Sequence, residues 1–136
     1  MKVLIDANII LDVLQKRDPH YQGSAFVWKL CETMQITGYV SALSFADLVY
    51  IMRKDWSAEE VEQCLRQLRL IFTFEDFTVS DMNRASEMKW KDYEDAVQSA
   101  TAERMKCDYI ITRNVKDYKA SKIFAVTPAE FLAREA

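Results

Sequence analysis

Apolar positions recur along this chain at two spacings, and the spacing switches repeatedly from one to the other. Val3, Leu4 and Ile5 form an unbroken aliphatic run, the pattern of a strand buried on both faces. Ile9, Ile10, Val13 and Leu14 then recur at helical spacing, with Asp6 at the junction. Asp18-Pro19 reads as an N-cap followed by proline at the first helical position. It predicts a helix to about residue 35, with Phe26, Val27, Leu30, Cys31 and Met34 on its apolar face. Gly38 ends the next connection, and residues 39–42 are a second short strand. Ser44-Phe45-Ala46-Asp47 has the form of a capping box, opening a helix through Leu48, Val49, Ile51 and Met52. Ser57 to Glu60 opens another, with Val61, Cys64, Leu65 and Leu68 inward. A short strand lies within residues 71–79, with Phe72 and Phe74 on one face. Ser80 caps a helix to about Trp90, and Asp92 caps the next, where Ala96 and Ala100 permit close packing. Residues 109–111 and 123–126 are strands, and Thr127-Pro128-Ala129-Glu130 opens the last helix.

Strands alternating with helices define an α/β fold: a mostly parallel central sheet between helical layers, a three-layer α/β/α domain. The length of 136 residues suits one domain spanning residues 1–136. Gly and Pro number two each, which argues against a β-sandwich. Asp6, Asn8 and Asp12 interrupt the first apolar run, so a signal peptide is not expected. No uncharged apolar stretch nears the roughly 20 residues of a membrane span, so the expectation is a cytoplasmic protein without membrane contact. Cys31, Cys64 and Cys107 show no zinc or redox spacing and read as reduced core thiols. A net charge of −3 gives no global attraction to nucleic acid, so any such site must be a local patch.

In parallel sheets, ligands bind at the carboxyl edge of the strands. Asp6 follows the first strand, and Asp47 falls in the first turn of the helix after the second. Asp95 falls in the first turn of the helix leading to the strand at 109–111, and Asn114 and Asp117 follow that strand. Topology puts all of them on one edge; whether they meet depends on strand order, which is open at this point. Each also has a local explanation. Asp47 and Asp95 complement helix dipoles, Asp6 caps the helix at Asn8, and Asp117 is a solvated loop charge. Clustered, four carboxylates repel one another unless a cation neutralises them. Oxygen-only ligands favour Mg2+ or Mn2+ over zinc. Between residues 113 and 122, Arg113, Lys116, Lys119 and Lys122 face only Asp117, a local balance of +3. This segment is either a contact for nucleic-acid phosphates or a solubilising loop. Arg53 and Lys54 add to it if their helix end faces the site, and Tyr118 is placed to stack on an unpaired base. His20, beside Pro19, reads as a surface residue, and Trp28 and Trp90 as core or interface.

Four segments, taken in order, carry a resemblance. They are Asp6-Ala7-Asn8 after its strand, residues 41–48 around Asp47, Asp92-Tyr93-Glu94-Asp95-Ala96, and Thr112-Arg113-Asn114-Val115-Lys116-Asp117-Tyr118. No one of them is specific, but the ordered set, which spans nearly the whole chain, resembles the PIN domain, the nuclease fold of bacterial VapBC-type toxins. The resemblance implies Mg2+- or Mn2+-dependent hydrolysis of RNA phosphodiesters by Asp6, Asp47, Asp95 and Asp117, with Asp6 and Asp95 as direct metal ligands. It also implies substrate or water contacts from Thr112, Asn114, Arg113, Lys116 and Lys119, an antitoxin partner, and a homodimer. Two departures stand out. The family's second acid is usually glutamate where this chain has Asp47, and Asn114 stands where many relatives have aspartate, which shifts the fourth acid to Asp117. The first departure keeps open a PIN-like module that binds RNA or protein without cutting. An aspartate-based phosphatase ranks lower, because that chemistry wants Asp-x-Asp and this chain has Asp6-Ala7-Asn8.

Overall fold

The computed structural model describes residues 1–135. Five strands form one sheet: β1 (Lys2–Ile5), β2 (Thr37–Ser41), β3 (Thr73–Glu75), β4 (Tyr109–Ile111) and β5 (Ala125–Val126). Their order is β3-β2-β1-β4-β5, and every pairing is parallel. Seven α-helices are present among the described residues: α1 (Ala7–Leu14), α2 (Tyr21–Glu32), α3 (Ala42–Met52), α4 (Ala58–Ile71), α5 (Val79–Met88), α6 (Tyr93–Arg104) and α7 (Pro128–Glu135).

Side chains alternate across a strand, so β1 feeds two cores. Val3 and Ile5 pack with Ile9, Ile10, Val27, Leu48, Val61, Leu68 and Phe131, which belong to α1, α2, α3, α4 and α7. Leu4 points the other way, with Ile110 and with Ala102 of α6. Ala85 of α5 meets Ala96 and Val97 of α6, where small side chains let the two helices approach. The result is the α/β/α layering expected from the alternation of elements. Cys31 and Cys107 are buried free thiols, and burial pushes them up to about 12 and about 11 respectively.

Several boundaries differ from expectation. The second helix opens at Tyr21, and Asp18 does not cap it; the N-cap is His20, without a side-chain bond, and the Asp18–Pro19 peptide is cis. Phe26 (57 % exposed) and Met34 (88 % exposed) lie outside the core. Met34 follows the C-cap Thr33 in a left-handed conformation, so it never joins the helical face. The third helix begins at Ala42, capped by Ser41, whose hydroxyl accepts from Leu43 N at 3.2 Å. Ser44 is therefore a buried helical residue and no cap, and Asp47 lies in the second turn. Thr78, in a capping box with Asp81, starts α5 in place of Ser80. The third strand is three residues long because α4 runs on to Ile71. The boxes at Ser57–Glu60 and Thr127–Glu130 form as their sequences suggest.

Candidate active site

The strand order settles which acids meet. β1 lies between β2 and β4, so the segments leaving these strands share one rim. A cavity of about 420 Å³ opens there, lined by Asp6, Asp47, Asp92, Glu94, Asp95 and Asp117, together with Asn8, Gln98 and Asn114. All four acids singled out from the sequence are among them.

Asp6 is the N-cap of α1, and one oxygen accepts from Asn8 N at 3.1 Å. Its other oxygen accepts from the Thr112 hydroxyl at 2.8 Å, and that hydroxyl in turn accepts from Asn114 N at 3.0 Å. Capping and site membership thus coexist in one buried carboxylate. Thr112 is itself fully buried, and its contact is with Asp6. Asp95 is the third residue of α6, with Asp92 accepting from its backbone N–H at 3.1 Å. One Asp95 oxygen accepts from the Tyr118 hydroxyl at 3.1 Å. Burial first, then the charges of Asp92, Asp117 and Asp6, push Asp95 up to about 6, against the pull of Tyr118. Glu94 is also raised, by partial burial of its carboxyl, then by Asp47, Asp92 and Asp6. Negative groups facing one another across a partly dry cavity are the common cause.

Tyr118 is only 3 % exposed and packs edge-on against Trp90, so it has no face to offer a base; its role is to hold Asp95. Arg113 is not brought to this cavity. Its guanidinium ion-pairs with buried Asp12 at 3.1 Å and faces a separate pocket beside His20 and Pro128. Lys116 and Lys119 line a second groove of about 810 Å³, which shares Asp92, Asp95 and Asp117 with the acid cavity. Lys122 is engaged with Glu103 at 3.8 Å. Arg53 and Lys54 border a further pocket that meets the acid cavity at Tyr50.

Asp92 and Glu94 belong to the motif at residues 92–96 but were not expected as members of the site, and Gln98 was not expected at all. A signal existed for the last two: Glu94 and Gln98 are four apart on α6, hence on one face. The Gln98 carbonyl oxygen is buried and without a partner. The donors are all oxygen, and their mutual repulsion calls for positive charge, which fits a hard dication. Among the described residues, no three acidic, histidine or cysteine side chains stand close enough to enclose an ion by themselves.

A family model described as PIN domain matches residues 2–116, and the chain belongs to that family. The fold resembles that of VapBC2 from Rickettsia felis, solved bound to promoter DNA, at 17 % identity and TM-score 0.71, over 93 % of this chain and 98 % of that one. A toxin–antitoxin complex from Klebsiella pneumoniae aligns at 22 % identity and TM-score 0.70, over 93 % and 97 %. Mycobacterium tuberculosis VapC20, described as a sarcin-ricin-loop-cleaving toxin, aligns at 12 % identity and TM-score 0.63, over 79 % and 86 %. A comparison with curated proteins gives no match. No helix among the described residues is long and apolar enough to cross a membrane.

Proposed function

We propose that the chain is one PIN-like domain over residues 1–136 and a divalent-metal-dependent endoribonuclease, the toxin of a VapBC-type pair. The convergence of Asp6, Asp47, Asp95 and Asp117, with Glu94 beside them, in one cavity of a PIN domain carries this reading. Structural neighbours described as VapBC2, as a toxin–antitoxin complex and as a sarcin-ricin-loop-cleaving toxin support it. An antitoxin partner, a homodimer and a cytoplasmic location belong to the same proposal.

Asp6 and Asp95 would hold Mg2+ or Mn2+ directly, with Asp47 and Asp117 completing the set through water. The bound ion would supply Lewis acidity, neutralising phosphate charge and acidifying a water nucleophile. The chain's own residues do the positioning. Thr112 and the Asn8 amide fix both Asp6 oxygens, and Tyr118 fixes one oxygen of Asp95. Burial and the neighbouring acids push Asp95 up to about 6, and a bound cation would favour its carboxylate form. Asn114 lies at the cavity wall, where its amide is available to the phosphate, and Lys116 and Lys119 offset the acids.

Incubation of a mixed RNA pool with Mg2+ or Mn2+ tests the proposal. Cleavage is expected with metal, and none with chelator or in Asp6→Asn and Asp95→Asn. Full cleavage in chelator overturns the metal mechanism. RNA bound but left intact under every metal condition would instead establish the non-cutting PIN-like module.

A further inference from the structure

We propose that Gln98 is a positioning residue of the acid cavity, its side-chain amide accepting a hydrogen bond from a water molecule carried by the bound dication. This rests on the metal-dependent reading above and adds a neutral member to the acid set. Gln98 lies within the run of α6 from 96 to 102, where every residue is buried, and is itself only 7 % exposed. Its side chain lines the acid cavity together with Asp6, Asp47, Glu94, Asp95 and Asp117. The Oε1 atom is buried and accepts no hydrogen bond. An unpaired buried acceptor costs free energy, and an aliphatic side chain of similar size would avoid that cost. A glutamine in this place implies a partner that arrives from the cavity.

A dication in this cavity keeps part of its water. Among the described residues, no three acidic, histidine or cysteine side chains stand close enough to enclose an ion by themselves. Magnesium demands an octahedron of oxygens and gives up its waters reluctantly, so the positions that side chains leave open stay water. Those waters donate protons, and the surrounding protein must supply acceptors that orient them. Another carboxylate would accept, but it would add charge to acids that already repel one another. An amide oxygen accepts and adds none.

The spacing on α6 suits a contact through water. Gln98 follows Asp95 by three residues and Glu94 by four, so it neighbours both on the helix surface, with Cβ atoms roughly 5–6 Å apart. From an ion held at Asp95, that separation leaves room for one water before the amide. Nothing holds Oε1 on its inner side, and the last torsion of a glutamine is broad, so a half-turn presents the oxygen to the cavity.

The test uses the full chain with Mn2+ as the probe, and reads binding, not cleavage. Free Mn2+ is followed by electron paramagnetic resonance as it is titrated into the parent, Asp6→Asn, Gln98→Leu and Gln98→Glu. Gln98→Leu removes the acceptor and is expected to weaken Mn2+ binding roughly 10- to 100-fold. Gln98→Glu restores an acceptor and is expected to bind at least as tightly as the parent. Water-proton relaxation counts the exchangeable waters on the bound ion, and that count should not rise in Gln98→Leu. Urea denaturation without metal should find Gln98→Leu at least as stable as the parent, because the unpaired acceptor is gone. Gln98→Met, closer in shape, decides the matter if leucine disturbs packing.

Parent-like Mn2+ affinity in Gln98→Leu and Gln98→Met, with binding lost in Asp6→Asn, overturns the role of Gln98 and keeps the metal site. A gain of bound water in those two variants also overturns it, since Gln98 would then be a direct ligand. Weaker binding accompanied by a matching loss of metal-free stability in both assigns Gln98 to packing alone. A parent that binds no Mn2+ removes the metal-dependent reading itself, and the role of Gln98 with it.

Discussion

Asp12 shows how a single residue can be misjudged from sequence. In the chain it only interrupts an apolar run, yet it is fully buried in α1. The Ser24 hydroxyl donates to it at 3.0 Å, Arg113 lies 3.1 Å away, and Arg17 stands off at 4.0 Å. A buried carboxylate is tolerated only when paired, so Arg113 ties the exit of β4 to α1. Its partner is 101 residues away, and no local spacing announces it. This is why the +3 segment read as one basic patch whereas the structure divides it: Arg113 to Asp12, Lys122 to Glu103, and Lys116 and Lys119 to the groove. Arg113→Met is expected to destabilise the chain by about 3 kcal/mol, since it leaves a buried charge with only the distant Arg17. RNA affinity should change little. Urea denaturation and RNA titration of the variant check both; an unchanged midpoint with weakened binding would return Arg113 to the substrate.

At the scale of elements, legibility follows burial. The interior strands β1 and β4 were readable because a strand covered on both faces must be aliphatic. Helix α6 was readable from Asp92 and its small residues, and Asp95 came with it. The start of α3 was not, because Ser41 and Ser44 are equally good caps in isolation. The choice falls to Ser41, which lies at the end of β2, where the chain leaves the sheet. Asp47 consequently sits a turn deeper in α3 than the sequence suggested, though still at the cavity wall. The contact between β2 and α2 depends on Gly38 for space. A Cβ there would lie 2.6 Å from Cys31 Sγ, 3.1 Å from Phe72 and 3.3 Å from Ile5. Gly38→Ala is therefore expected to destabilise by about 1–3 kcal/mol through overpacking. The double variant with Cys31→Ala should recover part of the loss, because it removes the nearest atom. Thermal or urea unfolding of the pair measures this; a neutral Gly38→Ala would show that the sheet and α2 separate easily.

For the whole molecule, the candidate active site depends on strand order, which is set by long-range packing and has no local signature. Once β1 lies between β2 and β4, acids from α1, α3, α6 and the turn after β4 face one cavity, and the fold bears their repulsion. Asp95 makes that cost measurable. Burial and the facing acids push it up to about 6 in the folded chain, against about 3.9 when unfolded. Between those values the unfolded chain has released the proton and the folded chain still holds it. The contribution of Asp95 to stability therefore falls as pH rises through this window, and levels off above it. Asp81 runs in the opposite direction: burial pushes it up, but Arg104, Thr78 and Thr101 together hold it low. That contribution is common to parent and Asp95→Asn, and cancels in their difference. The parent should therefore lose stability relative to Asp95→Asn between about pH 4 and 6, leaving the metal-free mutant at least as stable at neutral pH. Mg2+ or Mn2+ should then stabilise the parent more than the mutant, because an ion that binds only the folded state raises its stability by mass action. Urea denaturation of both proteins across this pH range, with and without metal, reads both effects. If the metal-free mutant is less stable and both proteins respond equally to metal, Asp95 serves only the N-terminus of α6, and the acid cavity is not a metal site.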